Sequence, residues 1–263
     1  TKTGSTTVEG FWKDLETSLN NLKTDYIDIY QFHNPSFCPK PGDGTGLYEA
    51  MLEAKAQGKI HFIGLTNHRL PVAIEACESG LYDTIQFPFS YLADQKDIDL
   101  VNRCKENNIG FICMKALSGG LINRSDAAYA YLAQFDNVLP IWGIQKESEL
   151  DEFISYQTKA PELTQEIQDL IAHDRKELAG DFCRGCGYCM PCPKGIQINQ
   201  CARMSLMLRR APAASWLNDH WQAEMKKIEE CLNCGKCKQH CPYHLNTPEL
   251  LKKNYEDYKT FLK

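Results

Sequence analysis

With 263 residues, 29.9 kDa, 43% hydrophobic and 24% charged residues, the chain can bury the core of one large domain plus a small one, which excludes disorder as its general state. The net charge of -5 gives no reason to expect nucleic acid or an anionic membrane as partner, and no apolar run approaches the roughly 20 residues of a membrane helix. Of 13 cysteines, most crowd between Cys183 and Cys241 at CxxC spacing, the usage of a metal protein in a reducing, cytoplasmic compartment rather than of a secreted disulfide framework.

From Val8, the apolar residues Phe11, Leu15, Leu19 and Leu22 recur near helical spacing, and the short apolar stretch 26–33 follows as a strand. The unit repeats. A helix at 47–57 stopped by Gly58 precedes a strand at 60–65, and a helix at 71–78 stopped by Gly80 precedes a strand at 84–87. Helices at 95–106 and 127–134 then lead into strands at 110–115 and 138–142. Five such units predict a parallel sheet with helices outside, either a barrel or a doubly wound sheet. No GxGxxG follows any of these strands, which favours the barrel over a dinucleotide-binding Rossmann sheet.

Several motifs in this order carry a family resemblance: Thr1-Lys2, the stretch LNNLKTDYIDIYQFH at 19–33, GKIHFIGLTNH at 58–68, and Gln86. Together they resemble the aldo-keto reductases over roughly residues 1–153. The resemblance implies a TIM-type (α/β)8 barrel that binds NAD or NADP at the C-terminal ends of its strands and acts on a small carbonyl or alcohol. It implies His33 as the active-site histidine and Lys2 as the catalytic lysine. It further implies that Thr66, Asn67 and Gln86 hold the nicotinamide and that Leu117, Ser118 and Gly119 cover the cofactor pyrophosphate. The segment 143–149, where many members grip the adenosine 2′-phosphate, has Lys146 and no arginine, so NADH and NADPH both stay open.

Reducing a carbonyl with hydride needs a proton donor beside the developing alkoxide. In the family that donor is a tyrosine, assisted by the lysine and an aspartate. Both precede the lysine, and this chain opens one residue before Lys2. The expectation is the C-terminal five strands of a partial barrel retained from a longer protein, the alternative being a truncated, catalytically dead product. Read without the resemblance, His33 is equally a packed core histidine, Lys2 a solvated terminal lysine and Asn67 a turn cap.

A polar helix between Pro161 and Leu178 leads to the cysteines, giving predicted domains at 1–158 (barrel), 159–180 (linker helix) and 181–263. There the pattern is CxxCxxCxxCP and, after a long insert, CxxCxxCxxxCP. Thiolates two residues apart wrap one face of a cubane cluster, and a fourth followed by proline closes the neighbouring one. The spacing therefore predicts two [4Fe-4S] clusters, one on Cys183, Cys186, Cys189 and Cys241, the other on Cys231, Cys234, Cys237 and Cys192. Gly185, Gly187 and Gly235 permit turns whose N–H groups point at sulfur. Zinc is the alternative, but it explains neither the third CxxC step nor the repeated Cys-Pro. The first run has two residues, not the usual three, before its fourth cysteine, so Cys201 is a candidate substitute for Cys192; the reading adopted is that Cys201 packs in the helical insert. His240 and His244 have no ligand role.

Helical patterns at 199–210 and 219–230 predict a small α-helical ferredoxin-like domain, and the combination resembles a ferredoxin-bearing branch of the aldo-keto reductases. The leading functional expectation is an oxidoreductase that couples NAD(P)H and a carbonyl or alcohol to clusters serving a redox protein partner. The alternative is an electron-transfer protein whose barrel lacks reductase activity. Hydride moves two electrons and a cluster one, so direct coupling points to an unseen flavin, although no flavin motif is legible.

Overall fold

The computed structural model describes residues 1–178, 182–210 and 212–262; the predicted boundary at residues 180 and 181 lies outside them. The chain forms two compact units, Thr1–Ala116 with Leu132–Trp142, and Leu117–Tyr131 with Gly143–Lys263.

The first unit opens with β1 (Lys2–Thr3) and α1 (Val8–Leu22). Thr7 caps α1 by accepting the Gly10 N–H at 3.2 Å, and Phe11, Leu15 and Leu19 are its buried stripe. Leu22, which continues that spacing, is 59% exposed. Then come β2 (Ile27–His33), α2 (Leu47–Ala56), β3 (Ile60–Thr66), α3 (Leu70–Glu78), β4 (Thr84–Pro88), α4 (Gln95–Glu106) and β5 (Gly110–Met114), with β6 (Val138–Pro140) later in the chain. Asp94 and Asp97 close a reciprocal capping box on α4. The six strands are parallel and stand in the order β1-β2-β3-β4-β5-β6. A doubly wound sheet reverses its order at a switch point; this one never does, so it is a run of barrel staves. The described residues form six strands rather than the expected five, because Lys2–Thr3 pairs with Gln31 and Phe32.

Strand alternation divides the sheet into two faces. Tyr30, Phe32, Leu65, Ile85 and Phe111 are buried on the helix side, where Phe11 meets Tyr30 edge-on at 5.8 Å. The opposite face carries Gln31, His33, Gly64, Thr66, Thr84 and Gln86, set by the registers Gln31↔Gly64↔Thr84 and His33↔Thr66↔Gln86. Gly64 is needed there: a Cβ would stand 2.4 Å from Thr84 Oγ1 and 2.8 Å from Gln31 Cγ. Phe62 and Leu139 lie on the same face, 50% and 66% exposed.

The second unit is helical, as expected. It holds α5 (Ser125–Leu132, all but its last residue), α6 (Glu147–Thr158), α7 (Gln165–Glu177), α8 (Ile198–Cys201), α9 (Met204–Arg210), α10 (Asp219–Lys226), α11 (Lys236–Gln239) and α12 (Thr247–Thr260). The predicted helix at 199–210 is two pieces broken at Ala202-Arg203, and that at 219–230 ends in a tighter 3-10 turn. Cys201, Met204, Leu208, Met225, Ile228, Leu251 and Tyr258 form its core. Asn254 is buried and fully used: its amide donates to Ala202 O at 3.1 Å and Leu250 O at 2.8 Å, and its oxygen accepts from Ser205 N at 2.8 Å. It thereby satisfies backbone groups orphaned where α8 ends and α9 begins. No helix among the described residues is long and apolar enough to cross a membrane.

Candidate functional site

In the first unit, the C-terminal edge of the sheet gathers Lys2, His33, Thr66, Asn67 and Gln86. Pairing of β1 on β2 sets Lys2 opposite Gln31, two residues before His33. Partial burial lowers the pKa of Lys2, and burial, then the Lys2 charge, lowers that of His33. His68, just past β3, is buried and held down to about 3, first by burial and then by the charges of Lys115, His33, Arg69 and Lys2. Lys115, at the end of β5, has φ of 60°. This edge is therefore a cationic concentration with two imidazoles kept neutral, an arrangement that favours negative charge developing on a bound oxygen.

The polar residues around it are largely occupied. Asn67 is fully buried; its amide donates to Pro35 O at 2.9 Å, and its oxygen accepts the N–H groups of His68 and Arg69, both at 2.9 Å. Asn34 Oδ1 accepts from His68 N at 3.1 Å and Arg69 Nη1 at 3.3 Å, lashing the loops after β2 and β3 together. Gln86 accepts from Gln31 Nε2 at 2.9 Å, which leaves its own amide N–H groups to offer. Gln31 Oε1 and Thr84 Oγ1 are buried without a hydrogen-bond partner. Gln86 thus keeps amide N–H groups to offer, whereas Asn67 is engaged in holding the loops after β2 and β3. His68 and Lys115 were not singled out by sequence reasoning. His68 stood inside the quoted motif, but only the fold brings Lys115 to it.

In the second unit the thiols surround two cavities. Cys183, Cys186, Cys189 and Cys241 line one with Ile198, Leu245 and Leu250. Cys192, Cys231, Cys234 and Cys237 line the other with Ile196, Leu232 and Leu251; Cys189 borders both. Gly185, at φ of 65°, points its N–H at Cys183 Sγ, 3.4 Å away. Burial raises the Cys183 and Cys237 thiols and pushes Cys189 up to about 12. Among the described residues no group of three or more His, Cys, Asp or Glu side chains is placed to hold a single metal ion. Two sets of four thiols around apolar cavities, with backbone N–H groups turned inward, suit the chemistry of a cluster. Cys201 lines neither cavity; it is fully buried, its sulfur 4.0 Å from Glu224 O. His240 and His244 are exposed and line neither. Leu117, Ser118 and Gly119 also belong to this unit, and Gly119 packs on Arg203.

The Aldo/keto reductase family model matches residues 2–128, and that of a 4Fe-4S dicluster domain matches residues 182–246. The chain is 39% identical over 92 residues to methylglyoxal reductase DkgB of Salmonella typhi, covering 32% of this chain and 33% of that protein. It is 31% identical over 114 residues to the NADH-specific methylglyoxal reductase of Escherichia coli K12, covering 43% of this chain and 35% of that protein. The chain thus spans about a third of the length of these relatives. An aldo-keto reductase of Bacillus halodurans in its apo form shares the fold, with a TM-score of 0.52 at 20% identity over 66% of this chain and 69% of that one. The chain carries an aldo/keto reductase domain at residues 2–128 and a 4Fe-4S dicluster domain at residues 182–246.

Proposed function

We propose that the protein is an oxidoreductase that reduces a small carbonyl with NADH or NADPH, or oxidises the matching alcohol, and that it exchanges single electrons with a redox protein through two [4Fe-4S] clusters. The observation that carries the reading is the meeting of Lys2 and His33 at the C-terminal edge of a parallel sheet, each sensed by the buried His68. A neutral His33 donates one N–H to the substrate oxygen, and the Lys2 ammonium stabilises charge as it grows there. Thr66, Asn67 and Gln86 would hold the nicotinamide, which supplies the hydride when bound, and Leu117, Ser118 and Gly119 would lie over the pyrophosphate. Cys183, Cys186, Cys189 and Cys241 would hold one cluster, and Cys192, Cys231, Cys234 and Cys237 the other. Bound clusters supply one-electron transfer, so coupling to hydride chemistry calls for a group competent in both, such as a flavin. The two relatives described above carry the name methylglyoxal reductase, which makes a small 2-oxoaldehyde the first substrate to try.

The test is anaerobic NADH and NADPH oxidation by the iron-replete protein with such carbonyls. H33A and K2M should each lower kcat/KM by about 100-fold or more. Absence of carbonyl-dependent oxidation, while the clusters still accept electrons, would establish an electron-transfer protein instead.

A further inference from the structure

Arg203 lies between α8 and α9, is only 7% exposed, and has no carboxylate for a partner among the described residues. Its one side-chain hydrogen bond is from Nε to Gln200 Oε1 at 3.3 Å, a neutral acceptor. The neighbouring arginines are accommodated differently. Arg210 has Asp174 and Glu177, Arg209 has Asp257, and Arg184 stacks over the rings of Phe182 and Tyr243. A buried guanidinium cannot shed its proton and is not tolerated without a counter-charge.

Two glycines show where that charge is directed. A Cβ on Gly119 would stand 2.7 Å from Arg203 Nη1, and one on Gly185 would stand 2.8 Å from the same atom. Both glycines have positive φ, 67° and 65°. Arg203 Nη1 therefore lies between the turn of the first cysteine run and the loop 117–120. Gly185 in turn donates its N–H to Cys183 Sγ at 3.4 Å, so the guanidinium stands against the turn that carries the first thiol of the cavity lined by Cys183, Cys186, Cys189 and Cys241.

We infer that Arg203 is the buried counter-ion of the cluster held by Cys183, Cys186, Cys189 and Cys241, setting its reduction potential above that of the same cluster without the arginine. The inference rests on the two-cluster reading. Four thiolates outweigh the positive charge of the core, so the cluster supplies the anion that the polypeptide does not. Each reduction adds one electron and one further negative charge, which a fixed cation nearby favours. Arg203 is on this account a positioning and tuning residue that donates to no substrate.

The experiment is an anaerobic dithionite titration, followed by electron paramagnetic resonance, of the iron-replete full chain as wild type, R203Q and R203K. The expected result is that R203Q makes one of two reduction steps about tenfold less favourable, about 59 mV for a one-electron couple, leaves the other in place, and is largely rescued by R203K. Unmoved steps at full iron content in R203Q would overturn the inference, as would an equal shift of both steps or an R203K as shifted as R203Q. If R203Q loses iron, full iron in R203K supports a charge role and equal loss in R203K overturns it. A raised KM for NADH or NADPH without any shift in potential would assign the guanidinium to the dinucleotide instead. Wild-type protein without iron would fail the cluster reading itself, a result distinct from all of these.

Discussion

Arg210 Nη2 lies 2.6 Å from Asp174 Oδ1, with 8% and 4% of the two side chains exposed. The same guanidinium reaches Glu177 at 2.7 Å through Nη1 and, through Nε, donates to Leu121 O at 2.6 Å. One arginine at the end of α9 thus ties together α7 and the segment before α5. Removing only the cation takes this ion pair from the buried Asp174 carboxylate, so R210M should destabilise the unit by about 3–5 kcal/mol in chemical denaturation. The uncharged pair D174L with R210M should recover much of that loss, because the cost lies in keeping the carboxylate's charge buried without the arginine rather than in lost attraction.

What the sequence made legible follows from how local each signal is. The strands at 27–33, 60–66, 84–88 and 110–114 are dense in Ile, Phe, Tyr and Thr and bounded by glycine or capping residues, so they announce themselves. β1 has two residues and no period of its own; only pairing with Gln31 and Phe32 defines it. α6 buries a single apolar residue, Phe153, which leaves no helical stripe to read. α12 was legible in principle from Thr247-Pro248-Glu249, since proline favours the first helical turn, but its buried face includes the polar Thr247 and Asn254. The cysteine sets could be proposed from spacing because ligand steps are local. The meeting of Lys115 with His68, and of Gly119 with Arg203, joins residues far apart in the chain and is visible only in the fold.

Gly64 should tolerate no side chain. G64A places a methyl against Thr84 Oγ1 and Gln31 Cγ, and overpacking of this kind costs about 1–3 kcal/mol. Adding T84A removes the tighter contact and should return part of the lost melting temperature. Full recovery is not expected, because the contact with Gln31 remains.

Acid should weaken the first unit through His68. Its folded pKa is about 3 against 6.5 unfolded, so between those values the unfolded chain binds the extra proton. The stability is whole above about pH 6.5 and is lost as pH falls toward 3, at about 1.4 kcal/mol per pH unit from this one group. From pH 7 to pH 5 the wild type should lose about 2 kcal/mol by this route in urea denaturation. In H68N that slope should flatten, whatever the variant's stability at pH 7.

Iron content separates ligands from bystanders among the cysteines. Cys201 is sealed in the helical core beside Met204 and Met225 and borders neither cavity, so C201S should keep about eight irons per chain. C192S and C234S line the same cavity and should each leave about four, with the surviving cluster signal the same in both. C241S should also leave about four, but with the other signal surviving, because Cys241 stands with Cys183 and Cys186 although it follows Cys237 in the chain. Matching signals from C241S and C234S would mean that each run closes its own cluster. That outcome would reverse the crossed assignment, in which the last cysteine of each run serves the cavity of the other.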